Sequence, residues 1–572
     1  MSSTRSRLLI SVTLIPIAAL FALAALDVPL GKPGKFTYLY SPFYLIRALR
    51  LPWLVPILLL AWFAVRTPSR RAVPFWLMLV AVVAIAIWNF LAPPRYVSQH
   101  AFNFVSPSHD GAFVLEADRI RALSTYLQAF PGYVLSADAT EKGTRVASNP
   151  PAMTWLAFHI FEAVRVNPDW MRLTPLTERG ADALVLQAGF LLAYVLQLGW
   201  VLAFVPWYFA ARRSVSPNVA AALAFCIVVS PMTMLFAPGK DPAQLLTVGI
   251  MVWLWPITVR ENDVNWRLFT RALLAGASLV LFAMVGLIHF WIAMLLLLAG
   301  LLPILFANLR AAKGPDVSAP RLARGVRRGL LRREAVRIVA GFAGLVLGVL
   351  ALQAFSGIDW LATVRAVAEA QARVTRGADA MPFVWQLLGI PLFLLFCGPA
   401  VWWGLMRGMG IHQDETCTNR TSGTWLVCVT LFLMLATVGF TNVETPRLWI
   451  PFAGLVQFGA FLLAFSGNAS NPAIAQCDLG NGCARRGASC QLKQLVVAQI
   501  IASGLAWSVM DMREAEHRLI GGNDARLFSS IGNSGETVGF APLDPPYKIY
   551  APHECDSSCE ISAGASVSQF AG

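Results

Sequence analysis

The chain has 572 residues, 57% of them hydrophobic and 13% charged, with 45 Lys and Arg against 31 Asp and Glu for a formal charge of +14. A soluble domain carries about 25% charged residues, so this composition excludes an ordinary soluble enzyme. The positive charge does not point to nucleic acid, because no basic-aromatic binding module accompanies it. In a chain with many apolar runs, excess Arg marks cytoplasmic loops.

Several apolar runs reach the ~20 residues that span a bilayer. They predict an all-α polytopic membrane protein with about thirteen transmembrane helices. The first run, from Leu8 to Ala25, follows Arg5 and Arg7 and has no small-x-small cleavage site. It reads as a retained signal-anchor helix. Residues 27–50 are aromatic (Phe36, Tyr38, Tyr40, Phe43, Tyr44) and fit an interfacial belt on the outer side. A second helix over 51–65 returns to Arg66, Arg70 and Arg71, and a third over 73–92 exits again. Charge alternation therefore places the polar outer loop that follows, 93–182, on the extracytoplasmic side.

Within that loop, residues 93–149 form the first polar island, and amphipathic helices are expected there. Pro150–Val166 is short and carries His159, Glu162 and Arg165, so it reads as an interfacial helix. Further spans are expected at 183–210, 217–236 and 243–259. Two more lie in 272–307, joined by a tight turn near His289. The stretch from Arg310 to Arg337 is the most basic of the chain and reads as a cytoplasmic loop able to touch anionic lipid heads. Spans at 338–356, 383–404, 424–440 and 450–466 follow, with an amphipathic helix from Trp360 to Thr375 in an outer loop. Residues 467–572 add one apolar run at 495–509, which either crosses to the outside or stays within, and a tail too polar for a core of its own. The expected division is thus 1–466 as the membrane domain and 467–572 as an appendage.

This topology puts Asp110, Glu116, Asn149, Lys240, Asp241, His289, Glu444 and Arg447 at one face, from distant parts of the chain. The helix centres are nearly free of ionisable groups, whereas ion-coupled carriers keep charges near the midplane. Chemistry at one face is the expectation. Each residue also has a plainer reading. Asp110 before Gly111 could close an Asx turn. Glu116 and Asp118 lie beside Arg119 and Arg121 and could form a solvated helix face. Asn149-Pro150-Pro151 could simply start a helix, Lys240-Asp241 could cap one, His289 could be a hydrogen-bonded interface residue, and Glu444 with Arg447 could pair locally.

Ser108-His109-Asp110-Gly111-Ala112-Phe113 through Glu116 opens an ordered set of short stretches. Ser148-Asn149-Pro150-Pro151-Ala152, Phe236-Ala237-Pro238-Gly239-Lys240-Asp241 and Glu444-Thr445-Pro446-Arg447-Leu448-Trp449 follow. In order and topology over residues 75–465, the set resembles the GT-C-type glycosyltransferases. These integral membrane enzymes take sugar from a polyprenyl-phosphate donor outside the cytoplasm. The chain departs from the family pattern where Asp110 is followed by Gly111 rather than a second acid, and where Asn149 stands in place of His before the two prolines.

The resemblance implies a glycosyltransferase of the cell (inner) membrane with an extracytoplasmic active site. Its partners would be a polyprenyl-phosphate-linked sugar, a lipid or glycan acceptor and the bilayer, with no nucleic acid. A carboxylate must take the acceptor's proton: Asp110, with Glu116 in reserve. The lipid phosphate leaving group needs cations, for which Lys240 and Arg447 are candidates. His109 or His289 could donate to the phosphate. Asn149, Asp241 and Glu444 complete the expected substrate-binding set. A divalent metal ion is compatible with this chemistry, yet no motif demands one. Phe113, Trp155 and Trp449 could stack on a sugar, although the two Trp also suit interfacial anchoring. The alternatives are a transporter or lipid flippase without covalent chemistry, and an acyl or phosphoalcohol transferase centred on His109.

Among the nine cysteines, Cys226, Cys397 and Cys428 lie in apolar runs and are expected as small core residues. Cys477, Cys483 and Cys490 lack zinc-ligand spacing. Cys555 and Cys559 could pair if the tail lies outside. The sequons at Asn419 and Asn468 fall on the inner side and are expected to stay unused.

Overall fold

The computed structural model of the chain describes residues 14–22, 26, 30–32, 36–40, 54–67, 69–91, 110–136, 144–167, 181–255, 265–313, 320–376, 383–410, 418–437, 449–465 and 482–511. The described chain is built of helices. They run α1 (Leu54–Arg66), α2 (Ser69–Leu91), α3 (Gly111–Arg119), α4 (Leu123–Leu135), α5 (Thr144–Ala147), α6 (Ala152–Val166) and α7 (Ala181–Leu202). Next come α8 (Phe204–Arg212), α9 (Pro217–Val228), α10 (Pro231–Phe236), α11 (Lys240–Leu254), α12 (Trp266–Ala283), α13 (Ile288–Lys313) and α14 (Pro320–Ser356). The last are α15 (Trp360–Arg376), α16 (Phe383–Cys397), α17 (Pro399–Gly410), α18 (Thr418–Thr437), α19 (Ile450–Phe465) and α20 (Gly482–Val509). Three short antiparallel strands tie the ends together: β1 (Leu30–Lys32) pairs with β2 (Phe36–Tyr40), and β2 pairs with β3 (Met510–Asp511).

Among the described residues, three helical stretches are long and apolar enough to cross a bilayer: Gln187–Arg212, Trp266–Ala283 and Leu331–Ser356. A fourth joins them if Gly389–Cys397 and Pro399–Arg407, bent by 100°, count as one span. The chain is thus a helical protein that associates with a membrane, and the expected thirteen spans exceed what these lengths establish. On α14 the large side chains Val339, Phe342, Leu347, Leu350 and Phe355 are exposed, a face suited to hydrocarbon.

Lipid gives helices no hydrophobic reason to associate, so close backbone approach must do it. That is how α12 and α14 pack. A Cβ on Gly276 would lie 1.8 Å from the Gly341 carbonyl oxygen, and one on Gly344 would lie 1.9 Å from that of Leu273. Gly341, Gly344 and Gly348 line one stripe of α14, and Trp360 at the start of α15 donates through its indole to Val280 O on α12 at 3.3 Å.

Four expectations are corrected. The apolar run 217–236 is not one helix: α9 ends at Val228 and α10 begins at Pro231. Ser230 and Thr233 form a capping box there, with Pro231 in the first turn, where its missing N–H costs nothing. The run 383–404 bends sharply at Gly398, whose φ of +87° suits glycine. The basic stretch is helical from Pro320 onward, and Arg333, Glu334 and Arg337 are buried within it rather than solvated as in a loop. Arg337 donates to Glu334 at 2.7 Å and lies 4.4 Å from the Trp255 ring. Pairing with Glu334 and stacking on Trp255 let this charge be buried. Finally, Cys226 and Cys397 are buried as expected but Cys428 is exposed, because its side of α18 faces outward.

The two breaks are tied together by α20. Gln499 donates to the carbonyls of Cys226 at 3.2 Å, Val229 at 3.4 Å and Cys397 at 3.2 Å, and accepts from Ala400 N at 3.1 Å. Ser503 donates to Val229 O at 2.8 Å. Backbone groups freed by a broken helix need such partners inside a membrane protein. The chain divides into two units, Met1–Ala525, which includes α20, and Arg526–Gly572. The second unit lies outside the described residues, as do Cys477, Cys555 and Cys559.

Candidate functional site

Three separated stretches of the chain meet at the N-terminus of α11. Asp110 immediately precedes α3, whose Ala112 and Phe113 pack into a buried cluster with Met153 and Ala157 of α6 and Leu192 of α7. That packing fixes where the Asp110 carboxylate points. Its Oδ2 accepts the backbone N–H of Lys240 at 2.8 Å, so the carboxylate sits at the positive end of the α11 dipole. Gly239 is required by the turn before it: a Cβ there would lie 2.6 Å from Phe236 O, and only in ordinary contact, at 3.5 Å, with Asp110 Oδ2.

Asp110 Oδ1 faces the guanidinium of Arg145, at 3.4 Å from Nη1. The same Nη1 is 4.0 Å from Asp241 Oδ2, and Lys240 Nζ is 3.9 Å from Asp241 Oδ1. Gln244, one turn further along α11, donates to Asp241 Oδ1 at 3.4 Å. Lys240 Nζ also donates to Asn149 Oδ1 and lies 5.9 Å from the centre of the Phe113 ring. Asn149 does not cap α6, whose N-cap is Pro151; instead its Nδ2 donates to Arg145 O at 2.7 Å and locks the short helix α5. Asp110, Arg145, Lys240 and Asp241 make a buried quartet of two acids and two bases, each between 4% and 6% exposed. Its formal charges cancel, as burial demands.

No protein-family model matches the chain, and no curated protein matches it significantly in sequence. What the site is must therefore be read from its own residues.

Arg145 is the member that sequence reasoning missed. The one signal available was a cation in the same polar segment as Asp110, four residues before Asn149-Pro150-Pro151. Glu116 is buried rather than on a solvated face, while its neighbour Asp118 is exposed. Glu116 lies six residues beyond Asp110, about 9 Å along the helix axis, and its Oε2 is 3.9 Å from Arg119. It neighbours Tyr126 on α4: burial first, and the Glu116 charge second, hold the Tyr126 hydroxyl well above the ordinary phenol range.

His289 is fully buried at the start of α13. Its Nδ1 lies 2.7 Å from Gly286 O, and a carbonyl only accepts, so Nδ1 carries a proton. Nε2 lies 2.7 Å from Thr247 Oγ1, whose hydroxyl is also 2.8 Å from Gln244 O. These contacts fasten α13 to α11, with the Lys240 charge acting on the buried ring. Trp449 is also buried, at 1% exposure, with Phe393 edge-on at 5.6 Å. That removes it as an interfacial anchor. Trp155 donates to His159 at 2.7 Å. His109, Glu444 and Arg447 lie outside the described residues. Among the described residues no three or more His, Cys, Asp or Glu side chains are grouped to hold a metal ion.

Proposed function

We propose that the chain is a multi-pass membrane glycosyltransferase that moves a sugar from a polyprenyl-phosphate donor to an acceptor hydroxyl at the extracytoplasmic face, with Asp110 as base. One observation carries this reading. Asp110 Oδ2 is held by Lys240 N–H while the buried Oδ1 has no hydrogen-bond partner and faces Arg145 Nη1 at 3.4 Å, so a fixed carboxylate keeps one oxygen unbonded beside a cation. Three of the stretches that resemble the GT-C pattern supply residues to this spot.

In the proposed step the acceptor O–H gives its proton to Asp110 Oδ1 as its oxygen attacks the anomeric carbon. The bond from that carbon to the phosphate oxygen breaks, and its electron pair stays on the phosphate. Lys240 and Arg145 offset the charge that collects there, an effect worth more in a site closed to water. A positioned base of this kind contributes about 10²–10⁴-fold. Asp110→Asn tests the reading: it should abolish sugar transfer from a polyprenyl-phosphate donor while membrane insertion stays normal. Full activity in that variant would remove Asp110 from the mechanism.

A transporter or lipid flippase is the second reading. The broken helices α9/α10 and α16/α17 favour it, because carriers build their sites at discontinuous helices. That protein would move substrate across vesicle membranes with no covalent change.

A further inference from the structure

The ion contacts of the quartet are long, and the same chain shows what a tight one looks like. Arg337 reaches Glu334 at 2.7 Å. Arg145 stands 3.4 Å from Asp110 Oδ1 and 4.0 Å from Asp241 Oδ2. Charge-assisted hydrogen bonds close to about 2.7–2.9 Å. Arg145 Nε and Asp110 Oδ1 are both buried and neither has a hydrogen-bond partner. A buried guanidinium donor left without an acceptor is unfavourable. Its planar fork is poorly used: the recorded approach to each carboxylate is through Nη1, and Nε has no partner. The fork matches the oxygens of a phosphate, which can take several of its donors at once.

We infer that Arg145 is a phosphate-binding residue and that its contact with Asp110 is the resting half of an exchange. A phosphate ester arriving beside Lys240 takes Nε and an Nη of Arg145 in short bonds. Arg145 then leaves Asp110 Oδ1, and the carboxylate becomes free to accept a proton only when the donor is in place. Before that, Arg145 covers Oδ1. The balanced charge of the empty quartet explains how the site stays folded without ligand. Asn149 sets the hinge of this exchange, because it holds the Arg145 backbone through Nδ2 and Lys240 Nζ through Oδ1. The identity of the ligand as a polyprenyl phosphate rests on the proposed glycosyltransferase reading. The phosphate chemistry rests on Arg145 and its neighbours.

The test uses the purified full-length chain in detergent, with undecaprenyl phosphate as probe and the thermal midpoint as readout. Arg145→Gln alone leaves two buried carboxylates with one cation, Lys240, and could unfold the chain. The double variant Arg145→Gln with Asp241→Asn leaves Asp110 against Lys240 and keeps the charges balanced. The wild-type midpoint should rise with the lipid, and the double variant should need about tenfold more for the same rise. Arg145→Lys should fall between them, because lysine keeps the charge and loses the fork. Equal affinity of wild type and double variant overturns the inference, as does a wild type indifferent to the lipid. Inorganic phosphate raising the wild-type midpoint at the same concentration, through Arg145, keeps the phosphate site and makes the free anion its ligand. Lipid binding through Arg145 without any sugar transfer would preserve this inference and remove the glycosyltransferase. Sugar transfer unaffected by the Arg145 variants would do the reverse.

Discussion

The backbone N–H of Lys240 donates to Asp110 Oδ2 at 2.8 Å across 130 residues of sequence. The bond makes Asp110 both a cap for α11 and a fixed carboxylate. The two roles separate by substitution. Asp110→Asn keeps an oxygen for the N–H and should fold. Asp110→Ala leaves that N–H unmet and Arg145 with only the distant Asp241, and should cost about 3 kcal/mol. Denaturation midpoints in detergent check the difference, and an alanine variant as stable as the asparagine one would show the cap to be idle.

The α12–α14 contact makes a steric prediction. Gly276→Val and Gly344→Leu put atoms where backbone carbonyls already lie, with Cβ at 1.8 and 1.9 Å. Both should abolish a monodisperse peak on size-exclusion chromatography. Gly329→Ala on the same helix α14 meets nothing within 4 Å. It should stabilise by up to about 1 kcal/mol, because alanine is the better helix former.

Gln499 serves three carbonyls and one N–H at the two helix breaks. Each buried group left unmet costs about 1–3 kcal/mol. Gln499→Leu should therefore lower the thermal midpoint much further than Gln457→Leu, whose amide donates to a single carbonyl, that of Cys397, at 3.4 Å. Equal effects would mean that the breaks are held by packing alone.

The buried pair of Arg337 and Glu334 should show a strong double-mutant coupling. Arg337→Met strands a carboxylate inside the bundle and should cost about 3–5 kcal/mol. Adding Glu334→Gln should restore most of that loss. Additive single effects in a denaturation series would disprove the coupling.

Tyr126 sets an alkaline limit. Its hydroxyl titrates near 10 in the unfolded chain and well above that in the fold, because burial and then Glu116 disfavour the phenolate. A raised folded-state value contributes stability that is fully present below about pH 10 and is lost as pH rises beyond it. The loss is about 1.4 kcal/mol per pH unit. Tyr126→Phe should flatten the alkaline limb of stability against pH between about 10 and 12, and an unchanged limb would refute the assignment.

Helix existence was legible from the residues because the apolar runs are long and the breaks between them carry charge. The tight turn before His289, the amphipathic helix from Trp360 and the helix after Pro151 all stand where periodicity placed them. The breaks inside apolar runs were not legible. Ser230 and Pro231 in one run and Gly398-Pro399 in another look like tolerated interruptions of a span. They become breaks because Gln499, from a remote helix, meets the freed carbonyls.

The candidate site divides the same way. Asp110, Asn149, Lys240 and Asp241 could be chosen from the sequence because each stands in a short polar stretch, next to Gly or Pro, on one predicted face. Arg145 could not, since nothing local distinguishes one cation in a polar segment. Glu116 and His289 share the predicted face, but helix rotation turns the first toward Tyr126 and hydrogen bonding ties the second to Thr247 and Gly286. Composition and periodicity by themselves determined a helical chain suited to a membrane, because they report how each segment partitions from water. Only the tertiary structure decided which charges meet, because ion pairing depends on distances of a few ångströms between residues far apart in the chain.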